Sequence, residues 1–208
     1  MQTSTLAVGS LEALKDALAD FALIDLPVDA DVVVVPTAAA FIGAAEASVA
    51  VADVFGGRDV RVEALMVTDR ASNAEGYFVD RLAQCDLVVL CDGSPLHART
   101  VWRNSPVGDA INSAAQLVAV GGVASVLGEV MIDPRGGAPT TGLNYRSGVV
   151  LCPPSSDEQL RRTRSLLAGD VVLVVLGSNG ALQFRSGRWR VVRPEGVVVT
   201  RGHDVVTL

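Results

Sequence analysis

Histidine and cysteine, side chains readily used as general base or nucleophile, are scarce in this chain. Its 208 residues include two histidines, His97 and His203, and three cysteines, Cys85, Cys91 and Cys152. Either histidine has the side chain of a general base, although a surface or capping role is the plainer reading of each. Cys152 stands before Pro153-Pro154 and reads as a small buried hydrophobe rather than a nucleophile. No CxxC spacing joins the cysteines, so neither a disulfide framework nor a zinc site is indicated, and no metal or cofactor is expected. Asp133-Pro134-Arg135 sets a carboxylate near a guanidinium, most simply as a loop salt bridge. Asp92 ends an apolar run and serves equally well as a site residue or an Asx-turn former.

The stretch Gln116–Gly142 offers a backbone for such chemistry. An apolar strand over Leu117–Val120 meets Gly121-Gly122, and a small-residue helix start over Val123–Val130 follows. Strand, sharp turn and helix make a nucleophile elbow, but the apex here is glycine. Ser125 is the nearest hydroxyl and lies inside the expected helix, flanked by Val123 and Leu127 where a strained elbow needs small residues. Gly121-Gly122 could instead cradle a phosphate at a helix N-terminus. The G-x-G-x-x-G spacing of dinucleotide sites is absent, since Gly121, Gly122 and Gly128 do not fit it.

The elements that position these residues follow from hydropathy. Half the residues are hydrophobic and only 4% aromatic, so Val, Ala and Leu must fill the core. The runs Val32–Val35, Leu87–Leu90 and Val171–Leu176 are continuous rather than alternating, as in parallel strands covered on both faces. Thr37–Phe41 begins a loop and helix that runs to about Val54, and helices are expected over Leu11–Phe21, over Asn73–Ala83 with Tyr77, Val79 and Leu82 inward, from Pro95 through Trp102, and over Asp157–Ala168. Ser156 and Gln159 form a capping box for the last. Ser186-Gly187 marks a hairpin between Ala181–Arg185 and Arg188–Val192, and Val197–Arg201 and Val205–Leu208 close the chain as short antiparallel strands. Net charge is −6, with no basic stripe, so nucleic acid is an unpromising partner. No apolar run is long enough to span a membrane, and the N-terminus lacks signal-peptide character. A cytoplasmic location is expected. The β-α alternation predicts a single α/β domain over residues 1–208, a three-layer α/β/α sandwich with a mostly parallel, flavodoxin-like sheet and C-terminal antiparallel strands. Ligands of such sheets bind beyond the carboxyl ends of the strands, where the loops Pro36–Phe41, Asp92–Pro95 and Gly121–Ala124 fall.

Five segments resemble the cyanophycinase and peptidase E (aspartyl dipeptidase) group, serine peptidases of the class I glutamine amidotransferase-like fold. They are Val32–Ala40, Leu87–Ala98, Val126–Leu143, Gln159–Arg164 and Val175–Leu182. The resemblance places the family's elbow, G-[ST]-S-A-G-A, on Ala119–Ala124. Gly121 then stands at the nucleophile's position, and Val123 replaces the glycine two residues beyond. The catalytic histidine of a Pro-His-His stretch falls on Pro154, and the acid of a D-E-x-T-A-L motif on Ser178. Asp92-Gly93 matches a Gly-Gly turn whose amide helps form the oxyanion hole.

The resemblance therefore implies a catalytically inactive homologue, with a ligand or partner pocket around Asp92, Gly93, Ser94, Gly121 and Gly122. A small molecule or peptide, a second copy of the chain or an active paralogue would be its partner. The alternative is an active serine-type hydrolase with a relocated nucleophile, drawing on Ser125, Ser94, Cys152 or His97.

Overall fold

The computed structural model describes residues 3–20, 22–202 and 204–208. In chain order the elements are β1 (Ser4–Val8), α1 (Leu11–Ala17), β2 (Ala30–Val35), α2 (Ala44–Val54), β3 (Val60–Ala64), α3 (Gly76–Gln84), β4 (Leu87–Leu90), α4 (Pro95–Trp102), α5 (Pro106–Ser113), β5 (Gln116–Val120), β6 (Val130–Ile132), β7 (Pro139–Thr141), β8 (Val150–Cys152), α6 (Asp157–Leu166), β9 (Val172–Leu176), β10 (Ala181–Arg185), β11 (Arg188–Arg193), β12 (Val197–Arg201) and β13 (Asp204–Val205). Short 3-10 turns over Thr37–Ala39 and Ser72–Ala74 follow β2 and precede α3.

The central sheet has the order β11-β10-β1-β5-β4-β2-β3. Its strands β1, β5, β4, β2 and β3 run parallel, while the β10–β11 hairpin joins antiparallel along β1. Val33 and Val35 of β2 face one apolar layer with residues of α3, α4 and α5; Val32 and Val34 face the other with residues of α1 and α2. That two-sided burial is why the valine runs do not alternate. The expected three-layer, mostly parallel sandwich is present.

One strand sits elsewhere than expected. The Val172–Leu176 run leaves the main sheet and forms a second sheet, ordered β13-β12-β9-β8, with β8 parallel to β9 around α6. The physical reason is that β10 already pairs along β1, so β8 and β9 find no free strand there. Tyr77 also points outward, 56% exposed, while Phe78 packs on the core. The helix carrying them starts at Gly76 rather than Asn73; on it Tyr77 lies about 200° around from Val79, so the two cannot both face in, and Val79 packs on the core. α5 was not anticipated: Ser105 caps it by accepting from the Gly108 amide, and Pro106 occupies its first turn. α1 ends at Ala17, earlier than expected; Phe21, its expected end, lies outside the described residues.

Two polar networks brace the layers. The fully buried Thr37 hydroxyl donates to the Val67 carbonyl at 2.6 Å and accepts from Trp102 Nε1 at 3.0 Å, tying the loops after β2 and β3 to the end of α4. Thr37→Val keeps the shape and leaves the indole N–H without its acceptor, so chemical denaturation should show a loss of about 1–3 kcal/mol. At the rim, the Tyr77 hydroxyl and Arg81 Nε both donate to the Glu63 carboxylate. The Tyr77 hydrogen bond, then that of Arg81, holds the Glu63 carboxyl below its ordinary range. A depressed folded-state value gives stability that is present above the unfolded-state value and lost as pH falls through the folded one. The stability gap between the parent chain and Glu63→Gln should therefore be open near neutrality and close in acid, as followed by thermal melts across pH.

Candidate active site

Strand register brings the chemistry-bearing loops to one edge. Val8 pairs with Val120, Ala119 with Leu90, and Leu90 with Val35, so the loops after β1, β5, β4 and β2 leave the sheet side by side. The loop after β5 is an elbow: extended Val120 gives way at once to Gly121, at φ +63°, and to a helix over Gly121–Leu127. The expected helix over Val123–Val130 is corrected here to a shorter 3-10 helix. It ends early because the amides of Leu143, Asn144 and Arg146 take the carbonyls of Val126, Gly128 and Leu127.

Asp92 decides the interior of this elbow. Its Oδ1 accepts from the Gly93 amide and from the Gly122 amide, each at 2.7 Å. A Cβ placed on Gly121 would run into the same carboxylate. The acid thus fills the space in which a side chain at position 121 would stand, and engages two amides that converge there. Gly93 takes φ +145° and lies so close to the Ala38 carbonyl that no side chain fits. The Ser94 amide donates to that carbonyl at 2.7 Å. Asp92 is therefore both a turn former and an elbow residue, a combination that sequence left open as a choice of one. The hint available was an acid at a turn where the resembled family has glycine; its reach to Gly122 needed the fold.

The remaining candidates are committed elsewhere. Ser94 caps α4, its hydroxyl accepting from the His97 amide at 3.2 Å. His97 donates from Nε2 to the Thr68 carbonyl at 2.8 Å, and its ring meets Phe41 edge-on at 4.5 Å. Ser125 is 1% exposed and donates to the Gly122 carbonyl at 2.8 Å. Burial, and then the neighbouring Asp92 charge, pushes the Cys91 thiol up to about 12. Burial raises Cys152 as well, against a hydrogen bond from Ser155 that lowers it. A thiol so raised is protonated near neutrality and a poor nucleophile.

Pro154 is exposed beyond β8 and lines a hollow of about 130 Å³ with Cys152, Ser155 and Gln159. Ser178 lies in the turn before β10, where its carbonyl accepts from the Ser10 hydroxyl at 2.8 Å. Gly9 abuts the Gly177 carbonyl there with no room for a side chain, which locks this turn onto the end of β1 beside the elbow. His203 lies outside the described residues. The expected Asp133–Arg135 salt bridge is corrected: Asp133 Oδ1 accepts from the Arg135 backbone amide at 2.9 Å, an Asx turn in the β6–β7 loop. Ser156 does accept from the Gln159 amide, but the Gln159 side chain donates to the Pro134 carbonyl instead of completing a capping box. Among the described residues no cluster of His, Cys, Asp and Glu is placed to hold a metal ion, and no helix is long and apolar enough to cross a membrane.

No protein-family model matches the chain, and no curated protein does. Solved structures do. A peptidase from an acI-B1 actinobacterium is 20% identical, with a TM-score of 0.75 over 100% of this chain and 98% of that one. A "Putative Peptidase E Protein" from Listeria monocytogenes EGD-e is 14% identical, with a TM-score of 0.66 over 93% of this chain and 99% of that one. The fold of this chain is that of these peptidase E-like structures.

Position 121 can be tested for stability. Gly121→Ala must hold a positive φ against the Asp92 carboxylate, whereas Gly57→Ala at φ +80° meets no atom within 4 Å. Urea unfolding should show about 1 kcal/mol lost at Gly57, from backbone conformation alone, and about 1–3 kcal/mol at Gly121. In an Asp92→Gly background the excess at Gly121 should shrink toward the Gly57 value.

Proposed function

We propose that this chain is a catalytically inactive homologue of the cyanophycinase and peptidase E group of serine peptidases, keeping the scaffold and elbow while performing no hydrolysis. One observation carries the reading: at the elbow apex Gly121 has no side chain, and the room for one is taken by the Asp92 carboxylate. Acyl transfer needs a nucleophile there, a base to accept its proton and a group to orient that base. Glycine cannot attack a carbonyl. The positions that the family resemblance assigns to base and acid hold Pro154, which accepts no proton from a nucleophile, and Ser178, which carries no charge to steady an imidazolium. A tetrahedral intermediate would also find the Gly93 and Gly122 amides engaged by an anion already present.

The rival reading, a relocated nucleophile, has little geometric support. Ser125 is buried and bonded to Gly122, and the His97 ring nitrogen at 2.8 Å from Thr68 addresses a carbonyl rather than a serine or cysteine. A partner-binding role is compatible with silence at the elbow. It is favoured by Phe41 and Ile42, 79% and 76% exposed in the loop after β2 at the same sheet edge. The partner would be a peptide, a second copy of this chain or an active paralogue.

Incubation with a fluorophosphonate probe and with aspartyl dipeptides tests the reading. Neither labelling nor turnover above that of heat-treated protein is expected. Labelling that vanishes in Ser125→Ala would overturn it. Gly121→Ser, Pro154→His and Ser178→Glu combined should remain unlabelled while Asp92 keeps its present rotamer, because its carboxylate stands where the new side chain would be.

A further inference from the structure

We propose that the β10–β11 hairpin carries a phosphate-binding site, in which Arg185, Arg188 and Arg190 take a small soluble molecule by a phosphate group of two or more negative charges. The site is independent of the elbow. Arg185 lies opposite Ser4 at the amino end of β1, whereas the elbow follows Val120, which pairs with Val8 at the other end.

Strand register sets the three arginines on one face. Arg185 pairs directly with Arg188, and Gln183 with Arg190, so these four side chains share a face while Phe184 and Trp189 share the other. Directly opposed residues stand about 5 Å apart at Cβ. Alternate residues of one strand stand about 6.6 Å apart. A single compact anion can therefore reach all three guanidinium groups, which line a hollow of about 500 Å³. The turn holds the opposed pair in place. Ser186 at φ +55° and Gly187 at φ +76° are both left-handed, as a two-residue type I′ hairpin requires.

Stability alone gives no reason for this cluster. Like charges directly opposite each other on paired strands are destabilising, and among the described residues none of the three is in an ion pair. Arg193 on the same strand makes the contrast, with its Nη2 at 2.9 Å from Asp16 Oδ2. Charge on an edge strand does deter pairing with other chains, but Arg185 belongs to β10, which is paired on both sides. Arg190 is also held in place: its Nη2 donates to Gln183 Oε1 at 2.6 Å, and Gln183 is 0% exposed. A buried amide is thus used to orient an exposed guanidinium without neutralising it. Phosphate suits three such forks, since it offers several oxygens and more than one charge. A single carboxylate would satisfy one fork and leave two unpaired.

Titration of the full chain with sodium pyrophosphate, at ionic strength fixed with sodium chloride, tests the proposal by calorimetry and by the Ser186 and Gly187 amide NMR signals. Saturable one-to-one binding is expected, weakening as sodium chloride is raised. Arg188→Gln and Arg190→Gln should each weaken it at least tenfold. Arg193→Gln should stay within twofold of the parent, because that arginine is already paired. Without pyrophosphate, Arg188→Gln should melt no lower than the parent, since it relieves the opposed pair. The proposal is overturned if neither readout saturates at millimolar pyrophosphate, or if Arg193→Gln loses as much affinity as Arg188→Gln. It is equally overturned if Arg188→Gln melts lower, which would make the cluster a folding device. Tighter binding to a glutamate-rich peptide, or to vesicles containing a phosphorylated inositol lipid, than to pyrophosphate would also overturn it, by assigning the hairpin to a protein or a membrane surface.

Discussion

The loops at the carboxyl edge of the sheet are held together by one carboxylate accepting from two amides. Asp92 Oδ1 joins the turn after β4 to the elbow after β5. Gly93, next in the chain, is pressed against the Ala38 carbonyl after β2. Three loops are joined by contacts in which the Ala38 backbone leaves no room for a Cβ at Gly93 and the Asp92 carboxylate, in this rotamer, takes the place of one at Gly121. The arrangement satisfies amides that would otherwise have to find water or another acceptor. It also makes positions 92 and 121 mutually dependent: an acid in this rotamer requires glycine opposite it.

An elbow framework and a glycine apex are therefore not in conflict. The backbone geometry of an elbow survives in the positive φ of Gly121 and the abrupt passage from strand to helix. The same close approach recurs at Gly9 against Gly177. Such contacts need only small residues and a register, which stability alone maintains. Catalysis needs charged and nucleophilic side chains that stability does not require, and the apex of this elbow, Gly121, carries no side chain at all.

Much of the fold was legible because its determinants are local. Val32–Val35, Leu87–Leu90 and Leu117–Val120 could only be strands covered on both faces, and Ser94-Pro95 and Ser156 mark helix starts through side-chain oxygens that accept amides three residues on. Val172–Leu176 is equally apolar yet lies in another sheet, because strand placement depends on which partner edges are free, and the β10–β11 hairpin had taken the one at β1. Tyr77 faces outward because residues two apart on a 3.6-residue helix lie about 200° apart, so it cannot share the inward face with Val79, which packs on the core.

Sequence alone determined the class of fold, the strand–glycine–helix pattern at Gly121, and the scarcity of histidine and cysteine. Those properties reside in residue types and spacing along the chain. Only the tertiary structure decided that Asp92 reaches the Gly122 amide, that Ser125 and His97 are spent on backbone carbonyls, and that Asp133 closes an Asx turn instead of a salt bridge. A hydrogen bond is fixed by direction and by a few tenths of an ångström. Bringing residue 92 to residue 122 at that precision requires β4 and β5 to lie side by side in register, a condition that no stretch of sequence contains by itself.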